Sequence, residues 1–203
     1  MKPIVFLGLS LAAVEAKQIL DADYRGPVVQ GDLDAITSPA LVVIIDGILD
    51  CDQRLPRAEV ARALDRGLVI HGVSSLGAVL AVELEHKGLK GSGRIYEVLR
   101  DLDADLPNLI AALYTADQLR PLTTPLINAV VYCREQGMGT GNLDAVVHEL
   151  ASIPLDARNW EGIEDATARA GVKLPATVRL MDVKREDAIN LLQALNKYPF
   201  IGK

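Results

Sequence analysis

The sequence predicts an α/β protein with a mostly parallel, Rossmann-like sheet in its N-terminal half and a helical C-terminal region. Short apolar runs alternate with helical patterns over residues 3–86, an order typical of a parallel sheet with helices on both faces. Beyond Gly93 only helical spacing recurs. We therefore expect an α/β core over residues 1–137 and a helical C-terminal extension over 138–203, either as a separate unit or within the same domain. The glycine-rich segment 137–141 is the candidate boundary.

The first elements follow from apolar runs and from the polar residues that end them. Residues 3–8 form the first predicted strand, because the centre of this run is apolar without alternation. Ser10 then suits the N-cap of a helix over 11–20. A weaker strand over 24–30 leads into a polar turn at 31–33 and a short helix.

The next elements are marked more clearly. Leu41–Ile45 is wholly apolar and rich in β-branched residues, so both faces of this strand should be covered. Pro56 suits the first turn of the following helix, which Gly67 ends. A strand over 68–73 and a helix over 76–85 complete the α/β pattern. Later helices are predicted at 94–100, 106–113, 124–136, 143–151, 159–170 and 185–195.

Length, charge and cysteine content exclude several classes of function. The chain has 203 residues, enough for an ordinary core, and its net charge of −6 argues against a nucleic-acid partner. The two cysteines form no metal-binding pattern. We expect a cytoplasmic setting, with no metal and no cofactor. No apolar stretch reaches the ~18 residues that a membrane span needs, so no membrane partner is expected.

The most informative segment is the one in which the strand over 68–73 passes into a helix through Gly72-x-Ser74-Ser75-x-Gly77. Such a turn puts two hydroxyl groups beside the unpaired backbone N–H groups of a helix N-terminus, which attract an anion or a developing oxyanion. A site of this shape suits acyl transfer, hydrolysis or anion binding.

Three predicted strands end in polar turns that carry Ser10, Asp46 and the pair Ser74–Ser75. In a parallel sheet these turns share the carboxyl edge, outside which ligands of open α/β sheets bind. We therefore expect these residues to converge, although they lie far apart in the sequence.

Each of these residues also has a purely structural interpretation. Ser10 and Ser75 could cap helices, and Asp46 could close an Asp-Gly turn. The two glycines of the motif could serve only close packing. The motif also differs from the Gly-x-Ser-x-Gly elbow of the α/β-hydrolases, because its second glycine comes one residue later.

Taken in order, the motifs resemble the TfuA-like family over nearly the whole chain. The matching pieces are Val5–Phe6–Leu7–Gly8-x-Ser10, Gly31–Asp32–Leu33, Ile44–Ile45–Asp46–Gly47, Gly72-x-Ser74–Ser75-x-Gly77 with Ala81 and Glu83, Gly91-x-Gly93–Arg94–Ile95–Tyr96–Glu97, Arg120–Pro121–Leu122 with Asn128, Ile153–Pro154 with Arg158 and Trp160, and Val183–Lys184–Arg185-x-Asp187–Ala188.

The resemblance implies a partner of YcaO enzymes, which use ATP to activate backbone amides, and a thioamide as the product on a precursor peptide. The implied role is sulfur delivery, in which the protein binds a ThiS-like sulfur-carrier protein bearing a C-terminal thiocarboxylate and hydrolyses it to release sulfide. We expect Ser74, Ser75 and Asp46 to be catalytic. The expected substrate-binding residues are Ser10, Gly8, Asp32, Gly72, Gly77 and Glu83.

The chain departs from the family pattern at Leu80, at Tyr114–Thr115–Ala116 and at Val130, where the family carries Arg, His-Gly-Pro and Arg. These departures favour an alternative, a non-catalytic adaptor that docks carrier and peptide onto YcaO and activates it. A third reading is a small-molecule hydrolase or an anion-binding protein. Trp160 and the segment 198–201 either form a docking surface or fix the C-terminal helix to the core.

Overall fold

A computed structural model of the chain describes residues 2–49, 52–115 and 121–198. Their strands form one parallel sheet in the order β2-β1-β3-β4-β5, which confirms the predicted α/β fold class. The strands are β1 (Ile4–Phe6), β2 (Asp23–Arg25), β3 (Leu41–Ile44), β4 (Val69–Val73) and β5 (Lys90–Ser92).

Nine α-helices lie within the described residues, and the predicted helices over 94–100 and beyond are all present with small shifts at their ends. They are α1 (Ala13–Ile19), α2 (Arg57–Asp65), α3 (Leu76–Leu84), α4 (Arg94–Arg100), α5 (Leu106–Ile110), α6 (Ile127–Glu135), α7 (Thr140–Ala151), α8 (Trp160–Arg169) and α9 (Val183–Lys197). Three short 3-10 helices lie between these elements, at Glu85–Lys87, Leu155–Ala157 and Ala176–Leu180.

Three local predictions are wrong. Ser10 caps no helix, because α1 starts later and its N-cap position is Ala12. The turn at 31–33 continues as turns rather than as a short helix. The short edge strand β5 was not expected, because Lys90–Gly91–Ser92 contains no apolar run.

Helices cover both faces of the sheet. On one face α1 and α9 pack over side chains of β1, β3 and β4, and the buried residues there include Val5, Val43, Val73, Leu191 and Leu192. On the other face α3 packs against β3, β4 and β5. Its approach depends on Gly72 and Gly77, since a Cβ on Gly72 would collide with the Gly77 carbonyl and one on Gly77 with the Ile44 carbonyl.

The chain divides into two compact units. The first comprises Met1–Glu97 together with Lys184–Lys203, and the second comprises Val98–Val183. Helix α9 therefore belongs largely to the unit that contains the sheet. The second unit is helical, and residue 137 lies within it, between α6 and α7. The boundary at 137 stays a prediction.

The structure bears on the expectations about a membrane span and about the docking surface only for the residues that it describes. No helix among residues 2–49, 52–115 and 121–198 is long and apolar enough to cross a membrane. Tyr198 is exposed. Residues 199–201 of the predicted docking surface, and Ala116 of the departure from the family pattern, lie outside the described residues.

Candidate functional site

Asp46 ties the end of β3 to the loop that follows β1. Its Oδ2 accepts hydrogen bonds from the backbone N–H groups of Gly8 at 2.8 Å and Ser10 at 3.1 Å. The Ser10 hydroxyl donates to Oδ1 at 2.6 Å. Both side chains are buried, Asp46 at 7% exposure and Ser10 at 6%. The three donors fix the Asp46 side chain at the carboxyl edge of the sheet.

Gly8 lets this loop come close to Asp46. A Cβ at this position would lie 2.7 Å from Pro27 Cγ and 3.2 Å from Asp46 Cβ. Distances this short force a neighbour to move, and the proline ring and the end of β3 have little freedom to do so. Gly8 therefore belongs to the site through its backbone, which is the part of the residue that Asp46 contacts.

The two serines of the β4–α3 turn have different surroundings. Ser74 is fully buried, and its hydroxyl donates to the Lys184 carbonyl at 2.8 Å. It has a left-handed backbone with φ of 69°, the only positive φ outside glycine among the described residues. This conformation is unfavourable for a side-chain-bearing residue and turns the chain sharply from β4 into α3. The bond to Lys184 helps to hold it.

Ser75 occupies the N-cap position of α3, yet its hydroxyl makes no capping hydrogen bond. Its backbone carbonyl accepts from Ala78 N at 3.1 Å and from Val79 N at 3.5 Å, so the helix starts regularly. Within the part of the chain that the structure describes, no acceptor is assigned to the N–H groups of Ser75 and Leu76. The hydroxyl and these N–H groups thus lie together at the helix N-terminus, where Ser75 is 7% exposed and Leu76 is fully buried.

The structure brings the three polar turns to one edge of the sheet. β1, β3 and β4 are neighbours and run parallel, so Ser10, Asp46 and the serine pair all follow the carboxyl ends of adjacent strands. The first turn of α3 touches β3 directly, because Gly77 N donates to Ile45 O at 3.4 Å. Chain connections diverge between β1 and β3, which is where ligands bind in open sheets of this kind.

Asp32 and Glu83 have contacts of their own away from these turns. The Asp32 carboxylate accepts from Val29 N at 2.8 Å and closes a local turn after β2. Glu83 pairs with Arg57 of α2, with Arg57 Nε at 2.6 Å, and lies about 12 Å along the helix axis from Ser75 at 1.5 Å per residue. The hydrogen bond to Glu83 is the main cause that raises the pKa of Arg57.

Sequence reasoning missed Glu59, a buried carboxylate of α2 that binds the turn after β2. It is 1% exposed and accepts hydrogen bonds from Gly31 N at 2.8 Å, Leu33 N at 2.9 Å and Asp34 N at 3.2 Å. The polar turn at 31–33 contains successive N–H groups that need an acceptor, and Glu59 lies on the buried face of α2 beside Val60 and Ala63. The polar turn and the position of a glutamate on the buried face of α2 together indicate Glu59 as the acceptor.

Asp187 near the start of α9 is a second buried carboxylate that spacing alone did not single out. It accepts from Ile95 N at 2.9 Å and lies 3.6 Å from Arg94 Nε, so it anchors α9 at the start of α4. Burial raises the pKa of Asp187, while the hydrogen bond from Ile95 acts in the opposite direction.

Two of the positions at which the chain departs from the family pattern lie in the core, whereas Tyr114 and Thr115 are half-buried. Leu80 is 1% exposed and Val130 is fully buried. A guanidinium at either position would need buried partners, so an aliphatic side chain there fits the hydrophobic surroundings. The described residues contain no group of three or more His, Cys, Asp or Glu side chains that could hold a metal ion.

These features define an α/β protein with a polar site at the carboxyl edge of a parallel sheet, where a buried aspartate and a helix N-terminus meet. The family model of the TfuA-like protein matches residues 46–157, just over half of the chain, and includes Asp46 and the Ser74–Ser75 turn. The chain belongs to the TfuA-like family. No curated protein sequence matches it.

Family membership supports a role in the YcaO-associated system that forms peptide thioamides.

Proposed function

We propose that the protein delivers sulfur for backbone thioamidation by binding a thiocarboxylated, ThiS-like carrier and releasing sulfide from it for the YcaO enzyme. The observation that carries this proposal is the Asp46 clamp, by which we mean the three hydrogen bonds that Asp46 accepts from Gly8 and Ser10. These bonds hold the loop that contains Ser10 next to the end of β3, and the first turn of α3 contacts the same end of β3. The thiocarboxylate is an anion. The N-terminus of α3 suits an anion, because the N–H groups of Ser75 and Leu76 donate to no acceptor among the described residues.

Of the two serines, Ser75 is the better candidate for attack on the acyl carbon of the thiocarboxylate. The Ser74 hydroxyl is fully buried and donates to the Lys184 carbonyl, whereas the Ser75 hydroxyl is not used for capping. Ser75 Oγ would attack the thiocarboxylate carbon or hold the water that does. In the net hydrolysis the C–S bond breaks, a C–O bond to water oxygen forms, and the products are a carboxylate and hydrogen sulfide.

The N–H groups of Ser75 and Leu76 would stabilise the oxyanion that forms during this attack. One such donor contributes roughly 3 kcal/mol, or about 10²–10³ in rate. Asp46 acts as a positioning residue in this scheme, since both of its oxygens already accept hydrogen bonds. Its carboxylate fixes the Ser10 loop against which the end of the carrier would lie.

The test is sulfide release from a thiocarboxylated carrier mixed with the purified protein. Ser75→Ala should lower the rate by about 10²-fold, because it removes the proposed nucleophile or water holder. Ser38→Ala is the matched control, since Ser38 is an exposed serine of the same unit. Release that is equally fast in Ser75→Ala and in the wild type would contradict the catalytic proposal.

A specific observation favours the adaptor as a second candidate. Asp46, Ser10 and Ser74 all use their side chains in internal hydrogen bonds, which leaves a modest set of groups for chemistry. An adaptor would bind carrier and YcaO tightly and raise thioamidation by proximity. In that case Ser75→Ala would leave both complex formation and thioamidation unchanged, whereas the catalytic proposal requires loss of thioamidation with complex formation retained.

A further inference from the structure

A cavity beside the connection from β3 to α2 carries a positive charge that the proposed chemistry does not use. It has a volume of about 450 Å³ and is lined by Gln30, Arg54, Leu55, Pro56 and Arg57. Leu55 is 1% exposed and forms an apolar wall. Gln30 N donates to Gln53 O at 3.1 Å, which joins the segment after β2 to the segment before α2.

Arg54 is the cation that stands out in this cavity. Its side chain is half-buried, and no hydrogen bond or ion pair of Arg54 occurs among the residues that the structure describes. Arg57 differs from it, because the Glu83 carboxylate pairs with its guanidinium. A half-buried guanidinium has lost part of its hydration, so an anionic partner stabilises it more than it would an exposed one.

Among the described residues, the carboxylates around this region are already engaged, and Asp52 also has a partner. Glu83 pairs with Arg57, Glu59 accepts three backbone N–H groups, and Asp32 accepts the N–H of Val29. Asp34 pairs with arginines of α2. An anionic group of another molecule would give Arg54 the counter-charge that none of these described carboxylates provides.

The cavity is connected to the proposed catalytic edge through the chain. Val28 N donates to Asp46 O at 3.0 Å, Ile48 N donates to Val28 O at 3.2 Å, and Gln30 follows two residues after Val28. A peptide whose end lies against the Ser10 loop can thus continue along this segment toward Arg54. We propose that the cavity binds a carboxylate side chain of an acidic peptide segment, with Arg54 as the residue that recognises it.

This inference rests on the proposed function, because the segment would be the one that precedes the thiocarboxylate of the carrier. Arg54 donates two N–H groups to the carboxylate, and Gln30 offers its side-chain amide as a further donor. Leu55 and Pro56 exclude water from one side of the pair. The subsite would give the protein a preference for carriers with an acidic tail.

The test compares two synthetic peptides that end in Gly-Gly with a free carboxylate, one with two Glu residues before the glycines and one with Gln in their place. Wild-type protein should bind the Glu peptide about tenfold more tightly at low salt, because hydrogen bonds between charged groups exceed neutral ones in strength. Arg54→Gln should abolish this preference, and Arg54→Glu should reverse it. Calorimetry measures all six affinities.

Lys17→Gln is the matched control, since Lys17 is an exposed cation of α1 and its loss changes the net charge equally. It should retain the preference. A preference that survives in Arg54→Gln, or its absence from the wild type, overturns the subsite. Urea unfolding of Arg54→Gln should match the wild type, which separates lost recognition from lost folding.

The outcome is separable from that of the proposed function. Sulfide release that depends on Ser75, without a preference that depends on Arg54, refutes the subsite alone. A preference that depends on Arg54, in a protein that releases no sulfide, refutes the catalytic proposal and leaves the subsite supported.

Discussion

The Asp46 clamp makes a quantitative prediction about stability. Asp46→Ala removes the acceptor of three hydrogen bonds, those of Gly8 N, Ser10 N and Ser10 Oγ. Gly8 is half-buried, so water can replace the first bond, whereas Ser10 is buried at 6% exposure. Two buried bonds to a charged acceptor contribute about 1.5–3 kcal/mol each, so we expect a loss of about 3–6 kcal/mol in the free energy of unfolding.

Smaller changes at the same place should have graded effects. Asp46→Asn keeps the shape and one acceptor oxygen but loses the charge, so about 1–2 kcal/mol should be lost. Ser10→Ala removes only the hydroxyl that donates to Oδ1 and should cost a similar amount. Because the two side chains share this bond, the double variant Asp46→Ala/Ser10→Ala should be less destabilised than the sum of the single variants by at least about 1 kcal/mol.

Urea unfolding followed by circular dichroism measures these differences. Ser38→Ala serves as the control, since an exposed serine should change stability by less than about 0.5 kcal/mol and add independently to Asp46→Ala. A coupling energy below about 0.5 kcal/mol between Asp46 and Ser10 would refute the clamp.

Three further predictions concern titratable groups whose pKa values are shifted by burial. Burial and then the charge of Lys90 lower the pKa of His71 from 6.5, so stability should be lost as the pH falls below 6.5, and His71→Gln should flatten this loss in urea titrations. Burial raises the pKa of Asp187 above 3.8, so the stability that its protonated form contributes is lost as the pH rises from about 4, and Asp187→Asn should gain stability relative to the wild type over that rise. A trend of the opposite sign in either titration would contradict the assignment. Burial raises the pKa of Cys133 to about 11, so in a Cys51→Ser variant the native protein should not react with a disulfide reagent at about pH 8 and should react once unfolded. Rapid native labelling would show that the thiol is accessible.

The parallel sheet was predictable from the apolar runs alone where those runs are strong. Leu41–Ile45 is wholly apolar, and its strand is buried along its whole length. β5 has no such signal, because its residues Lys90–Gly91–Ser92 pair at the sheet edge through the backbone. Strand prediction from side-chain pattern fails where pairing depends on the backbone and on the position of a neighbouring strand.

The candidate site was predictable in position and less so in detail. The carboxyl edge follows from the parallel order, so the convergence of Ser10 and Asp46 needed no side-chain information. The Ser10 hydroxyl donates to Asp46 instead of capping a helix. This detail depends on the backbone conformation of the loop after β1. The hydroxyl of the buried Ser74 donates to the Lys184 carbonyl, which belongs to α9 near the other end of the chain. Local sequence around Ser74 gives no sign of this partner.

The most direct test of sulfur delivery is thioamide formation on the precursor peptide by the YcaO enzyme, measured by mass spectrometry with thiocarboxylated carrier as the sulfur source. Wild-type protein and Ser38→Ala should both support the reaction, whereas Ser75→Ala should not, and added sulfide should restore the product with Ser75→Ala. Full thioamidation from the carrier with Ser75→Ala, in the absence of added sulfide, would contradict the account.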